Sequence, residues 1–547
     1  MKKLVCLLMS LVFAGSLFSF AACEKEAVGR TVYDEGDGSG GNLEIALSVA
    51  GFGVEWLQNI AKAYSKESNM VIAITATGNL NSQYISQIQE GTSPYDLVFT
   101  TGSQARLADE KKVEKLTDVI YNQTLEGHSK PIKEEMNQNI YQRLLYRDTQ
   151  DIYFIDWANS VSGIFYNMTT LKEVYGDSFT EADLPKTTNE LLDMSYNVSS
   201  KDGYVAWSTF AGSSYSDYMT LIWGAQYDTV QSYFDYYDLI YRDENGEPHV
   251  ADTYDQIDSE GRLEAFKVIA EILNKENGLM HPAIDSMNYL DAQVAFAGNG
   301  FKGNNDKVAF IPSGDWMENE LADYLPNNPQ DFGILKSPVI SSIVNTFTDA
   351  EDKAYFSDAT EATGTYGRKT TVGDQRLSQL VTCIDENKTL EETRTALGYQ
   401  DLDQVTYDRV AEARAVISCA TMDHQMSVPN TSKNKENAFD FILYMLSDEG
   451  QSIYSDALGG RGMVYGYNPD TTDSSYMVKS VAALGNYQPV FVDYASPYAY
   501  LGGLRYYAVN DRYTQMCNGV SAETINQGVI AHWTENWATI KEAGKVS

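Results

Sequence analysis

The pattern of apolar and polar positions becomes clear just beyond residue 41. Asn42 to Ala50 reads Asn-Leu-Glu-Ile-Ala-Leu-Ser-Val-Ala, an apolar-rich alternating run of the kind an early buried strand shows. Gly51-Phe52-Gly53 breaks it. Trp56, Ile60 and Tyr64 then recur at four-residue spacing, flanked by Leu57 and Ala61, and predict one apolar face of a helix. Met70 to Ile74 predicts a second strand, Ser82 to Gln89 a helix, and Tyr95 to Phe99 a third strand. Strand, helix, strand, helix, strand predicts an α/β lobe with a largely parallel sheet. Ligands of such sheets bind beyond the carboxyl ends of the strands. Two turns fall there, Ala50-Gly51-Phe52-Gly53 and Thr100-Thr101-Gly102-Ser103.

A second α/β or mixed lobe is predicted from about Gly163. Its parts are a strand at Gly163 to Asn167, a helix opening at Lys186 to Leu191 behind Pro185, and a strand at Val308 to Pro312 that leads into Ser313-Gly314-Asp315-Trp316. Phe332 to Leu335 is a further short apolar run. Residues 341–414 are polar, with two acidic stretches that read as helices, Thr389 to Leu397 and Leu402 to Ala415, and are expected to form a helical insertion.

The N-terminus changes the picture. Met1-Lys2-Lys3 is a short cationic head, Leu4 to Phe20 is almost wholly apolar, and Phe20-Ala21-Ala22-Cys23 closes it with small residues and a thiol. That is the pattern of a secretory signal peptide over 1–22. The stretch resembles the bacterial lipobox, which implies lipid on Cys23 and attachment to a membrane. Residues 23–41, ending in Gly36-Asp37-Gly38-Ser39-Gly40-Gly41, are expected to be a flexible tether. The remaining length calls for at least two lobes.

A formal net charge of −36, from 76 acidic against 40 basic residues, argues against nucleic acid, whose binding depends on Lys and Arg neutralising phosphates. Beyond Cys6 and Cys23, Cys383, Cys419 and Cys517 are too few for a disulfide framework, and the absence of CxxC argues against structural zinc.

Several stretches in order resemble the extracellular solute-binding proteins of ABC importers, of the maltose-binding-protein-like class. They are Ala46 to Ala63, Ser93-Pro94-Tyr95-Asp96-Leu97-Val98-Phe99, Gly163 to Asn167, Pro185 to Leu191, Gly314-Asp315-Trp316, and Ser432 to Phe439 running on to Ser447-Asp448-Glu449-Gly450. The resemblance implies a two-lobed periplasmic-binding-protein-like fold of type II with the ligand cleft between lobes. It places 42–156 and 415–478 in lobe 1, and 157–414 and 479–547 in lobe 2. It also implies a monomer without cofactor that gives a captured sugar to the transmembrane subunits of an ABC permease.

Sugars offer apolar C–H faces ringed by hydroxyls, so their sites combine aromatic plates with carboxylate, amide and hydroxyl partners. By position the candidates are Trp316 and Asp315 at a strand end, and Trp157, Asn159 and Ser160 where the family's crossover lines the cleft. Trp56 and Glu55 beside the first turn follow, with Thr101 and Ser103 in the second. Trp207 and Trp223 lie in an aromatic-rich segment of lobe 2, and Tyr494 and Arg461 in late loops. Trp533 and Trp537, four apart on the last helix, read as core. A surface glycan-active enzyme stays open as an alternative, as does a binder of peptide or polyamine. No Gly-x-Ser-x-Gly elbow, His-Glu-x-x-His or Walker loop occurs.

Overall fold

The computed structural model describes residues 29–78, 80–101, 104–146, 149–158, 160–298, 300–419, 424–461, 470–485, 489–492 and 512–544. The signal segment and Cys23 lie outside them.

Strand β1 (Gly29–Tyr33) is followed by β2 (Asn42–Val49), helix α1 (Glu55–Ser68), β3 (Val71–Gly78), α2 (Asn81–Glu90) and β4 (Leu97–Phe99). α1 forms where the spacing predicts it, with Trp56, Leu57, Ile60, Ala61 and Tyr64 all buried on one side. Each large apolar side chain so buried contributes about 1.5–3 kcal/mol relative to exposure. Asn69 ends the helix in the left-handed region. After the short helix α3 (Gln138–Leu144), β5 (Ile155–Asp156) completes this part of the chain.

The second part begins with β6 (Val161–Asn167), every residue of which is buried, followed by α4 (Thr188–Ser199), β7 (Tyr204–Trp207), α5 (Asp217–Asp228) and α6 (Val230–Tyr237). Thr187 caps α4 by accepting from the Glu190 N–H. A hairpin of β8 (Ile240–Arg242) and β9 (Pro248–Val250) precedes α7 (Glu260–Leu273), β10 (Lys307–Gly314) and β11 (Phe332–Ile334).

The insertion is helical, as expected. It also carries a hairpin of β12 (Glu361–Thr363) and β13 (Lys369–Thr371) and a helix the polar pattern hides, α8 (Val372–Asp385), ahead of α9 (Leu390–Leu397) and α10 (Gln404–Ala415). Asp385 ties it down, accepting from Arg414 Nη2 at 2.7 Å and lying 2.5 Å from Lys336 Nζ of the second lobe. The chain ends with β14 (Val416–Cys419), β15 (Gln425–Ser427), α11 (Lys435–Leu446), α12 (Asp448–Ala457), α13 (Tyr476–Leu484), β16 (Val490–Val492) and α14 (Ala522–Gly544).

Two six-stranded sheets organise these elements. The first runs β1-β3-β2-β4-β15-β5, with β2 parallel to both β3 and β4. The second runs β16-β14-β6-β10-β7, and β11 pairs with β6. The chain thus passes from the first sheet to the second between Asp156 and Val161, and returns between Cys419 and Gln425.

Two boundaries differ from expectation. Gly29–Tyr33 is an edge strand on β3, so the expected tether is partly structured. Its glycines are packing devices: a Cβ on Gly40 would overlap the Ser68 carbonyl, and Gly40 N–H donates to Asn69 O at 3.0 Å. Val416–Cys419, expected in lobe 1, belongs to the second sheet, with Ser418 opposite Ser162. A four-residue buried run reads the same in either sheet, and only its partner strand decides. α13 likewise packs on the second sheet, where Ser480 Oγ accepts from the Ile334 N–H at 3.0 Å. Among the described residues, no helix is long and apolar enough to cross a membrane.

Candidate functional site

The two sheets approach each other at the carboxyl ends of β2 and β10. β2 ends in Ala50-Gly51-Phe52-Gly53, and Gly53 takes a φ of 67°, which a side chain would strain. β10 ends in Gly314-Asp315-Trp316. The Trp316 indole folds back over Gly314, where a Cβ would overlap its six-membered ring. On its other flank lies Gly51 of the first lobe, whose added Cβ would stand 3.0 Å from Trp316 Cδ1. Two glycines therefore let one indole sit between the sheets. Tyr215 and Tyr218, at the start of α5, meet that indole edge to face, with centroids 6.0 and 6.4 Å away. Trp316 keeps 8% of its surface exposed.

Beside it, Asp315 is wholly buried. Its Oδ1 accepts from Ser160 Oγ at 3.1 Å, and Arg461 Nε stands 3.6 Å from its other oxygen. Arg461 joins both lobes: Nη1 donates to Leu458 O at 2.7 Å, while Nη2 donates to Asp315 O at 2.9 Å and to Glu318 at 3.1 Å. Burial pushes the Asp315 carboxyl up to about 6, against the opposing pull of Arg461 and Ser160.

The crossing segment after β5 is built differently. Trp157 is fully buried, its Nε1 donates to Thr100 O at 3.1 Å, and its carbonyl accepts from Tyr454 OH at 3.1 Å. It stacks on Trp56 at 5.1 Å and 13°, with Phe52, Phe99 and His424 against its edges. Trp56 is equally buried and donates to Gly53 O at 3.2 Å. These two rings form a floor beneath the Gly51–Gly53 turn and present no face to a ligand in this arrangement.

The remaining candidates separate by environment. Trp207 donates to Ser195 Oγ at 2.9 Å and Trp223 to Pro338 O at 3.1 Å, both deep in the second lobe, so neither is carried into the site. Thr101 is half-buried and held by Asn81, which donates to its Oγ1 at 2.6 Å. Glu55 is exposed in the first turn of α1, where a carboxylate favours the helix N-terminus. Asn159, Ser103 and Tyr494 lie outside the described residues.

The structure thus brings together Trp316, Asp315, Ser160 and Arg461, and adds Tyr215, Tyr218 and Glu318, which sequence reasoning missed. The signal lies in the aromatic-rich segment that runs into α5, where the tyrosines at the helix start stand beside more conspicuous tryptophans. Among the described residues, no group of three or more His, Cys, Asp or Glu could hold a metal ion.

Comparison with known proteins bears on this arrangement. A family model described as bacterial extracellular solute-binding protein matches residues 53–354. No curated protein sequence matches the chain. The fold is similar to that of the solute-binding protein RafE in complex with raffinose, at 15% identity and a TM-score of 0.55, covering 90% of this chain and 99% of that one. The apo form of RafE from Streptococcus pneumoniae aligns at 14% identity and 0.54, covering 90% and 97%. An ABC transporter solute-binding protein from Thermotoga lettingae, bound with α-D-tagatose, aligns at 15% and 0.54, covering 92% and 100%. These likenesses establish the two-lobed type II fold.

Proposed function

The chain belongs to the bacterial extracellular solute-binding protein family, and from that premise we propose that it captures a sugar or oligosaccharide between its lobes for an ABC permease. One observation carries the sugar reading: a tryptophan indole stands between the two sheets, edged by two tyrosines and flanked by a buried Asp–Arg pair. Separation of the lobes would lift the Gly51 turn from the indole and open its face to the C–H face of a sugar ring. Asp315, Glu318, Arg461 and Ser160 then supply acceptors and donors for hydroxyl groups.

Ligand touching both walls favours the closed state by its differential contacts, and the permease reads that state. The solved relatives that bind raffinose and tagatose support a neutral, hydroxyl-rich ligand. In this reading the protein carries its ligand unchanged, acts as a monomer, and is held at the outer face of the cell membrane by lipid on Cys23. Membrane retention of a Cys23→Ala variant tests the anchor: release into the medium is expected, and unchanged retention would remove it.

Calorimetric titration against raffinose, tagatose, maltose, a tripeptide and spermidine tests the ligand class. A neutral sugar is expected to bind, with Trp316→Ala weakening it by about 2 kcal/mol or more, some 30-fold in Kd. Binding of only the peptide or spermidine would overturn the sugar reading.

A further inference from the structure

The second lobe holds a separate cavity of about 370 Å³. α5 runs along it from Asp217 to Asp228, about 16 Å at the helical rise, so most of the cavity lies away from the junction at Trp316. α6, β8, α7 and α14 supply the other walls. Its size falls at the small end of ligand-site volumes, about 300–1,000 Å³.

The lining has two chemical characters. One is aromatic. Tyr236 and Trp533 stand 5.5 Å apart with rings tilted by 39°, Tyr237 meets Tyr236 edge to face at 5.1 Å, and Tyr241 continues the wall from β8. The other is ionic, with four carboxylates against three guanidinium groups. Among the described lining residues, three guanidinium groups each lie on a carboxylate: Arg262 on Asp258 at 2.6 Å, Arg512 on Asp217 at 2.7 Å, and Arg242 on Asp235 at 2.5 Å. Arg262 is fixed further by Asn526 at 2.8 Å and Tyr254 at 2.5 Å. Arg512 Nε, buried, meets no acceptor among the described residues.

A cationic ligand would have to compete with arginines seated on three of the carboxylates and with the Ser259 hydroxyl and Gly261 N–H that donate to the fourth, Asp228, and an anionic one with carboxylates already seated on the arginines. A neutral ring with hydroxyls faces neither cost. It can lay a C–H face on an aromatic wall and direct hydroxyls at donors and acceptors that are already oriented. We propose that this cavity is a second sugar site, taking one neutral pyranose ring within the second lobe. It stands on the cavity alone and does not require sugar at the junction.

Trp533 lines the cavity and Trp316 the junction, so the two sites can be read separately. The protein, with its seven tryptophans replaced by 5-fluorotryptophan, is followed by fluorine NMR. Trp533→Phe and Trp316→Phe assign the two resonances. The probes are D-galactose, D-glucose and raffinose, with D-galacturonate and spermidine as charged controls. The Trp533 resonance is expected to move saturably with at least one neutral sugar, to keep that response in Trp316→Leu, and to need at least tenfold more sugar in Tyr241→Ala. The charged controls should leave it in place.

A Trp533 resonance unmoved by all three neutral sugars overturns the proposal. So does a response that vanishes in Trp316→Leu, which would make it an echo of the junction, or one that Tyr241→Ala leaves unchanged. A Trp316 resonance unmoved by any probe tells against the junction reading and leaves the Trp533 result standing by itself.

Discussion

Two groups of aromatic rings, one on each side of the lobe junction, serve opposite ends. On the first-lobe side, Trp56 and Trp157 stack within the core, with both indole N–H groups donated to backbone carbonyls at 3.2 and 3.1 Å. On the second-lobe side, Trp316 stands at the sheet end with Tyr215 and Tyr218 at its edges and only a glycine turn of the other lobe over it. One wall is therefore backbone resting on a rigid aromatic floor, and the other is a side chain held ready for contact. Burial, not residue type, separates a tryptophan that shapes a site from one that touches its ligand.

The largest effect is expected at the aromatic floor. Trp157→Ala removes a fully buried ring and is expected to destabilise the protein by about 3–5 kcal/mol, read as a lower urea midpoint. Arg461→Met is next. It leaves Asp315 buried without its cation, with an expected loss of several kcal/mol in the same measurement, while Asp315→Asn on that background should recover most of it. Trp316→Ala acts on the opposite wall. It should leave the midpoint nearer to wild type than Trp157→Ala does, while sugar affinity falls.

Acidity gives a smaller effect of definite sign. Asp315 in the folded chain has its pKa pushed up to about 6, above its ordinary value of 3.8, because burial penalises the carboxylate. The folded state therefore takes up this proton at a higher pH than the unfolded state does. The contribution of this group to stability should rise as pH falls from about 7 towards 4, and Asp315→Asn should abolish that part of the profile. A profile unchanged by the substitution contradicts the assignment. The smallest effect is expected at Arg143, whose guanidinium lies 4.4 Å over the Phe234 ring and 3.6 Å from Asp238, linking α3 to the end of α6. Arg143→Met should cost about 1 kcal/mol or less in stability.

Much of this architecture is legible in the sequence. β2, β3, β6 and β10 stand out because each buries both faces and reads as an apolar run bounded by glycine or a polar turn. β5 and β15 do not, since Ile155-Asp156 and Gln425-Met426-Ser427 each hold one apolar residue and make no run, unlike the equally short Leu-Val-Phe of β4. β1 was hidden among polar residues because an edge strand leaves Val32 about half exposed. At the site, Asp315 and Trp316 could be named from their place after a strand. Arg461 could only be guessed, because its partner is 146 residues away in the chain. Trp207 and Trp223 misled for the same reason that Trp157 did: an indole looks alike in sequence whether its N–H meets water, ligand or a buried carbonyl.

Sugar capture requires the lobes to close over a ligand that lies against Trp316. Cysteines placed at the exposed Lys62 and Lys201 put one spin label on each lobe, and native Cys383, Cys419 and Cys517 are buried, which directs labelling to the new sites. Pulsed dipolar spectroscopy, with and without a saturating sugar identified by calorimetry, then reads the distance between lobes. A shift to a shorter, narrower distribution is expected with sugar, and no such shift for Trp316→Ala at the same concentration. A distribution that sugar leaves unchanged, while calorimetry shows binding that Trp316→Ala removes, would contradict closure over the junction.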